Sequence, residues 1–310
     1  MTKKLAMLAS DADLAKVRFP CLVQPKVDGV RGINFTGKLT GRSLEAHANV
    51  QATAMFSAPQ FLHLDGELAA GKPYEADLCR KTTSVMNRIA GPATVRWFLF
   101  DCIADPTKPY VERLATLVQL YTQLKPEHQR TVGLLPTFRC ESLAQLQLID
   151  DRFIDLGYEG TIIRDPWGLY KHGRSTAKEG GLLRLKQFIE AEAVVVELLE
   201  GEANTNEAQL DARGLTKRST HKENMVKNGM VGSLLVRAVQ DIVHRGDVLF
   251  KQGQTFIVGA GRMSHAERLH YWKHPELLVD QLIKFKTFPT GVKDKPRFPT
   301  FQTIRMKSDT

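Results

Sequence analysis

"LVQPKVDGVRGINFTGKLTGRS", residues 22–43, decides how this chain is read, because it holds two lysines with two different claims on chemistry. Lys38 stands in "GINFTGKL", where Gly32, Gly37 and Lys38 have the spacing of a phosphate-binding G-x-x-x-x-G-K-[ST] loop. Leu39, however, occupies the place where that loop needs a Ser or Thr hydroxyl for magnesium. The loop also requires a strand before it and a helix after it. Here the β-rich "VRGINF" leads through Thr36 and Gly37 into "KLTGRS", which predicts a hairpin with Gly37 in the turn and Lys38 in solvent. Lys26 has the better setting. It arrives on the apolar run "LVQP", is boxed by Pro25, Asp28 and Gly29, and has Arg31 and Arg42 behind it. A lysine becomes nucleophilic near neutral pH when desolvation or nearby cations lower its pKa. Gly29 is expected to let the chain turn closely round a ligand. Taken alone, K-x-D-G would equally describe a surface Lys–Asp pair.

Working outward, "FPCLVQP", "VRGINF", "FLHLDGELAAG", "VRWFLFDCI" and "GTIIRD" are rich in Phe, Ile and Val and bounded by Gly or Pro, as strands are. "PYEADLCRKTTSVMNRI", "PYVERLATLVQLYTQL" and "SLAQLQLIDDRFIDLG" predict helices. In the second of these Leu114, Leu117, Val118, Tyr121 and Leu124 recur at spacings of three and four. Gly157 is a candidate C-terminal cap for the third.

The texture changes after "LLRLKQF". Residues 189–211 carry seven acids and no Lys or Arg, and residues 212–230 carry five Lys or Arg against one Glu. A domain boundary is therefore placed between Gln187 and Glu190, and 201–230 is expected to be a long functional loop. Beyond it "VGSLLVRAV", "GDVLF" and "QTFIVGAG" predict short strands, "SHAERLHYW" a helix, and the chain from Lys284 a basic tail. Several short strands in this span suggest a small β-barrel.

Length and charge bound the rest. A chain of 310 residues with 43% hydrophobic content is long enough for two domains. Its 43 Lys and Arg against 34 Asp and Glu, a net charge of +9, favour a polyanionic partner. Cys21, Cys79, Cys102 and Cys140 are far apart in sequence and form no C-x-x-C, which disfavours a zinc ribbon or a redox pair and suits a reduced compartment. The opening "MTKKLAMLASDADL" is too short in apolar residues for a secretory segment, and no run is long enough to span a bilayer, so a cytoplasmic protein is expected. Three other templates fail. "GAGRMS" lacks the third glycine of a dinucleotide fingerprint, His270 and His274 lack the Glu of a zincin helix, and no G-x-S-x-G exists.

What lifts Lys26 is the order of the remaining pieces. "GRS" (41–43), "LDGEL" (64–68), "FLFD" (98–101), "YEGTIIRD" (158–165), "LLRLK" (182–186) and "RFPTFQTIR" (297–305) follow it in sequence. This series resembles the covalent nucleotidyltransferases, and within them the small viral or bacterial ATP-dependent DNA ligases, from about residue 19 to the C-terminus. The resemblance implies an α+β fold: an adenylation domain of antiparallel sheets and helices over 1–188, then an OB-fold β-barrel over 189–310 carrying the basic insertion at about 201–230. It implies nick sealing in duplex DNA through lysyl-AMP and DNA-adenylate, by a monomer in the cytoplasm of a bacterium or a virus-infected cell. ATP would be the AMP donor and Mg²⁺ or Mn²⁺ the metal.

Residue by residue, the resemblance makes Lys26 the nucleophile, with Lys186 and Arg184 on the α-phosphate. Arg31 and Arg42 would hold ribose and phosphates, Arg42 also the DNA, because guanidinium forks suit oxyanions. Glu67 would accept from the ribose or bind metal, Phe100 would stack on adenine, and Glu159 would ligate the divalent cation. Gln24 would contact adenine, and Arg305 and Asp309 the triphosphate. Arg213, Lys217, Arg218, Lys222 and Lys227 of the insertion would contact DNA phosphates. Three positions depart from the family pattern: Gln24 where many relatives have Glu, Arg184 where Lys is commoner, and Thr310 where a basic residue is expected after Asp309. The competing readings are an RNA ligase, a capping-type nucleotidyltransferase and, from another class, a non-catalytic OB-fold nucleic-acid binder.

Overall fold

The computed structural model describes residues 5–289 and 296–305. Two compact units are present: one runs to Lys186 and includes Leu210–Leu215, the other comprises Gln187–Gln209 and the chain from Thr216 onward.

In the first unit the strands are β1 (Ser10–Asp11), β2 (Cys21–Pro25), β3 (Val30–Ile33), β4 (Leu64–Ala69), β5 (Arg96–Cys102), β6 (Val132–Leu134), β7 (Phe138–Cys140), β8 (Gly160–Arg164) and β9 (Leu182–Lys186). The helices are α1 (Val50–Phe56), α2 (Leu78–Asn87), α3 (Tyr110–Gln123), α4 (Pro126–Gln129) and α5 (Leu143–Asp155). The strands form a five-stranded sheet in the order β1-β9-β8-β2-β7 and a four-stranded sheet in the order β3-β4-β5-β6. Period-two alternation decides the faces. Cys21 and Val23 of β2, Ile163 of β8 and Leu183 of β9 pack with Leu146 of α5, so Gln24 falls on the opposite face. In the other sheet Leu64, Leu68, Trp97 and Leu99 join Ala52, Phe56 and Leu117 in a core, which leaves Asp65, Glu67 and Phe98 on the reverse side. Ser142 caps the start of α5, and Gly157, at φ +96°, closes its end by donating to Ile154.

The hairpin predicted after β3 is present. Ile33 and Thr40 exchange both backbone hydrogen bonds at 2.8 Å, Gly37 has φ +88°, Lys38 is exposed and Leu39 is fully buried. The residue that spoils the phosphate-loop pattern is thus a core residue. Gly29 serves a different purpose from the one expected. A Cβ there would lie 2.1 Å from the Leu68 carbonyl oxygen and 2.9 Å from Glu67 Cγ, so the chain's own strand β4, not a ligand, demands the glycine. Cys21 and Cys140, 119 positions apart in sequence (140 − 21), are direct cross-strand partners, and burial pushes the Cys21 thiol up to about 12.

In the second unit the strands are β10 (Ile189–Asn204), β11 (Ala208–Leu210), β12 (Thr216–Arg218), β13 (Met225–Ala238), β14 (Ile242–His244), β15 (Asp247–Phe250), β16 (Thr255–Gly259), β17 (Leu282–Phe288) and β18 (Arg297–Ile304), with helix α6 (His265–Lys273). A closed barrel forms in the order β10-β13-β16-β18-β17, filled by Val195, Leu234, Val236, Val258, Ile283 and Phe285 among others. Ser264 and Glu267 form a capping box at the start of α6.

Two expectations need correction here. The segment 201–230 is not an irregular loop. β10 and β13 run on past the barrel as a paired ribbon, with Glu202 opposite Lys227 and Asn204 opposite Met225, and a small β11–β12 hairpin ends it. Its strands are wet on both faces, so they lack the apolar alternation by which a strand is recognised. Nor do the described residues from Lys284 form a tail, because β17 and β18 are strands of the barrel. β17 buries Ile283, Phe285 and Thr287 inside the barrel while Lys284 and Lys286 point outward, and the lysines masked that alternation. No described helix is long and apolar enough to cross a membrane.

Candidate functional site

Three adjacent strands bring the chemistry together. β2, β8 and β9 are neighbours, with Pro25 opposite Thr161 and Gly160 opposite Lys186. Just past the end of β2, the Lys26 amide donates to the Gly160 carbonyl at 2.8 Å, and the Glu159 amide donates to the Lys26 carbonyl at 3.1 Å. Lys26, Glu159 and Lys186 are therefore level at one end of the sheet. Lys26 Nζ donates to Glu159 Oε2, and Lys186 Nζ donates to Glu159 Oε1. Gly160, at φ +150°, permits this: a Cβ there would sit 2.1 Å from the Leu185 carbonyl oxygen.

The electrostatics follow from that geometry. Burial would raise the Glu159 carboxyl, but the Lys26 and Lys186 ammoniums outweigh it and hold it below the usual range. Burial and the nearby Lys26 charge lower Lys186, although Glu159 pulls the other way. A lysine so placed keeps its charge less firmly than one in water.

The four-stranded sheet supplies a second row. Arg31, Glu67 and Phe98 are opposite one another across β3, β4 and β5. Burial pushes the Glu67 carboxyl up to about 7 against the pull of Lys26 and Arg31. Arg31 forks onto Asp65, Nε to Oδ1 at 2.6 Å and Nη2 to Oδ2 at 2.7 Å, and its guanidinium lies 4.7 Å from the centre of the Phe100 ring. Arg164 lies 5.3 Å from the same ring. Phe98 shares the row of Glu67, and the Arg96 guanidinium lies 5.6 Å from the centre of its ring.

Behind these rows runs a buried polar network that the sequence reading missed. Asp101 accepts from Arg113 Nε at 2.9 Å and from Arg164 Nη1 at 2.9 Å, and all three are nearly fully buried. Arg164 Nε also donates to Gln24 Oε1 at 3.3 Å, and Gln24 Nε2 donates to Thr137 Oγ1 at 2.9 Å. Gln24 is therefore fixed in orientation. The signal was in view, because Asp65, Asp101 and Arg164 each sit inside an apolar strand motif. A charged residue in such a run announces a buried ion pair.

The other expected residues are placed as follows. Arg184 Nε donates to Asp11 Oδ1 of β1 at 2.6 Å. Arg42 is exposed beside Gly41 in the turn that follows the hairpin. Arg305 Nε donates to Glu192 Oε1 at 2.6 Å on the barrel. Asp309, with Lys293, Lys295 and Thr310, lies outside the described residues. In the ribbon Arg213 is bound to Asp211 through Nε and Nη2, and the exposed Arg218 donates from Nη1 to the Asn206 carbonyl. Lys217, Lys222 and Lys227 are exposed, the last 3.9 Å from Glu200. Among the described residues no group of three or more His, Cys, Asp or Glu side chains is arranged to hold a metal alone. Lys38→Ala, at an exposed turn, is expected to leave nucleotide chemistry unchanged; a more than tenfold fall in ATP-dependent labelling of the protein would contradict this placement.

Comparison with known proteins gives a consistent result. Residues 5–186 match the family described as ATP dependent DNA ligase domain. Among solved structures, the DNA ligase–adenylate of Chlorella virus is 27% identical, with 99% of each chain covered and a TM-score of 0.52. A Lig E DNA ligase is 23% identical, covering 98% of this chain and 100% of its own, with a TM-score of 0.70. No curated protein sequence matches significantly. The matched segment spans more than half of the chain and contains the Lys26–Glu159–Lys186 cluster: the chain belongs to the ATP-dependent DNA ligase family.

Proposed function

We propose that Lys26 carries AMP in this ligase and that the chain seals nicks in duplex DNA. Lys26 Nζ attacks the α-phosphorus of ATP, an N–P bond forms, and the bond to the pyrophosphate oxygen breaks, leaving lysyl-AMP. Lys26 attacks as the free amine, and Glu159 Oε2, already in contact with Nζ, is beside the proton it gives up. Lys186, with Arg184 on the same face of β9, neutralises charge on the α-phosphate. AMP then passes to the 5′-phosphate of the nick, and the 3′-hydroxyl displaces it.

Glu67 and Arg31 meet the ribose and phosphates, and adenine lies against the "FLFD" aromatics. Phe100, packed against Arg31, stacks on the base, and Phe98 in the row of Glu67 is the second candidate ring. Gln24, fixed by Arg164 and Thr137 on the strand that leads to Lys26, contacts the base. Glu67 and Glu159 suit Mg²⁺ or Mn²⁺ as two hard oxygen donors to which the triphosphate adds the rest. Such a cation supplies Lewis-acid neutralisation of phosphate charge. The five-stranded barrel serves as an OB-fold domain, and Arg305 and Asp309 are assigned to contacting the triphosphate during adenylylation. Arg42 and the ribbon cations Arg213, Lys217, Arg218, Lys222 and Lys227 face the DNA, with Arg213 also bound to Asp211 and Arg218 to the Asn206 carbonyl. Free thiols at Cys21, Cys102 and Cys140 suit a cytoplasmic setting, bacterial or in a virus-infected cell.

The observation that carries this reading is the Lys26–Glu159–Lys186 cluster, assembled from three neighbouring strands. Pre-labelled protein mixed with a nicked duplex tests it. Label should move from protein to the DNA 5′-phosphate and then appear as free AMP as the strand is joined. Transfer only to RNA ends, or labelling by GTP in preference to ATP, would replace this reading with RNA ligation or capping. Lys186→Ala should slow lysyl-AMP formation by about 10²–10³-fold, the usual loss when one preorganised charge donor is removed. A single-turnover rate within threefold of wild type would remove Lys186 from the α-phosphate.

A further inference from the structure

The strands of the ribbon's end hairpin are exposed along both faces, yet a polar side chain beside them is buried. Asn206 is 5% exposed, between the end of β10 and the start of β11, beside a hairpin whose strand residues are all exposed. Its carboxamide Nδ2 donates to Asn204 Oδ1 at 2.9 Å, to the Ser219 carbonyl at 3.0 Å and to the His221 carbonyl at 2.9 Å. Its Oδ1 accepts from Asn224 Nδ2 at 3.1 Å, and its carbonyl accepts from Arg218. Neighbouring bonds close the same ring: Asn204 Nδ2 donates to Ser219, and Thr205 donates to Asn224 through both its amide and its hydroxyl. A segment with no apolar core of its own is thereby tied at one point. The tie joins the outgoing strand β10, the hairpin and the returning strand β13.

We infer that Asn206 is a positioning residue for DNA engagement: its buried carboxamide folds the ribbon end in the free protein and so fixes where Lys217, Lys222 and Lys227 stand. This rests on the reading of the ribbon as DNA-facing. A disordered segment must be ordered when it binds, at a cost in affinity, whereas a prefolded one has met that cost in advance. Asn206 itself offers DNA nothing, because its donors and its Oδ1 are engaged inside the ribbon.

The test uses the full chain and a nicked duplex. In Asn206→Ala the Ser219 and His221 carbonyls lose a buried donor, and a loss of this size corresponds to about a tenfold rise in KM for the nick. The rate at saturating nick should be unchanged. So should protein adenylylation, which needs no DNA and reports that both units are folded. The dependence of log affinity on log salt should keep its slope, because the phosphate-contacting lysines remain. Lys222→Ala and Lys227→Ala should behave differently, each flattening that slope by about one unit. Asn224→Ala, which removes the donor to Asn206 Oδ1, should reproduce a weaker form of the Asn206→Ala defect. Hydrogen exchange completes the comparison: amides at 204–206 and 218–224 should be protected in the free wild type and lose protection in Asn206→Ala. Unprotected amides in the free wild type, with the lysine effects intact, would overturn the positioning role alone. Protected amides with a salt slope indifferent to Lys222 and Lys227 would overturn the DNA-facing reading and the positioning role with it.

Discussion

Lys26→Ala protein is expected to take up no label from α-labelled ATP while still sealing a nick that is supplied already adenylylated. The two halves of this result separate covalent chemistry from folding and DNA binding. Alanine removes the only amine held against both Glu159 and the end of β2, and Lys186 cannot replace it because its strand fixes it on the far side of the carboxylate. Loss of the covalent step costs many orders of magnitude, since nothing else in the site can carry AMP. Once AMP is already on the DNA, the covalent duty of the lysine is over. The remaining step needs only positioning and charge neutralisation. The neutral side chain also leaves Glu159 bound to Lys186 alone, so sealing can slow modestly. Substantial labelling of the Lys26→Ala protein would sink the assignment.

Asp101→Ala is expected to destabilise the first unit by about 3–5 kcal/mol, the range for removing one member of a buried ion group. Arg113 and Arg164 are 2% and 3% exposed, and each donates to Asp101. Deleting the carboxylate strands two guanidiniums in a nearly dry interior, where the desolvation already incurred is no longer offset. Arg113 retains the carbonyls of Lys108 and Gly168, and Arg164 retains Gln24, which keeps the loss from being larger. Denaturant unfolding of the variant against wild type measures it. A difference under about 1 kcal/mol would mean that water reaches the network.

The legibility of the sequence followed the dryness of each face. "CLVQP", "LDGELA" and "RWFLFDC" could be read as strands because each is buried almost throughout and is rich in apolar residues between turn signals. The ribbon strands "AQL" and "TKR" are exposed at every position, so no hydrophobic period exists to find. β17 lies between these cases, since its inward Ile283 and Phe285 are interleaved with lysines that suggested a tail. For the site, the order of short motifs singled out Lys26, Glu159 and Lys186, but not their ion pairing. Glu159 is 133 positions from Lys26 and Lys186 is 160 (186 − 26), and only the β2-β8-β9 neighbourhood brings them together. The buried Arg–Asp pairs were overlooked for a related reason. Charged residues are expected at the surface, and Asp65, Asp101, Arg113 and Arg164 contradict that habit inside, where Asp65 is paired with Arg31 and Asp101 with Arg113 and Arg164.

The central claim is that one lysine of the opening stretch, and not its neighbour at the hairpin tip, becomes covalently bound to AMP. Digestion of wild-type protein after incubation with α-labelled ATP and Mg²⁺, followed by sequencing of the labelled peptide, tests it most directly. The account predicts a single acid-labile AMP adduct on Lys26. An adduct on Lys38, on Lys186 or on any other residue, or no adduct at all, would contradict it.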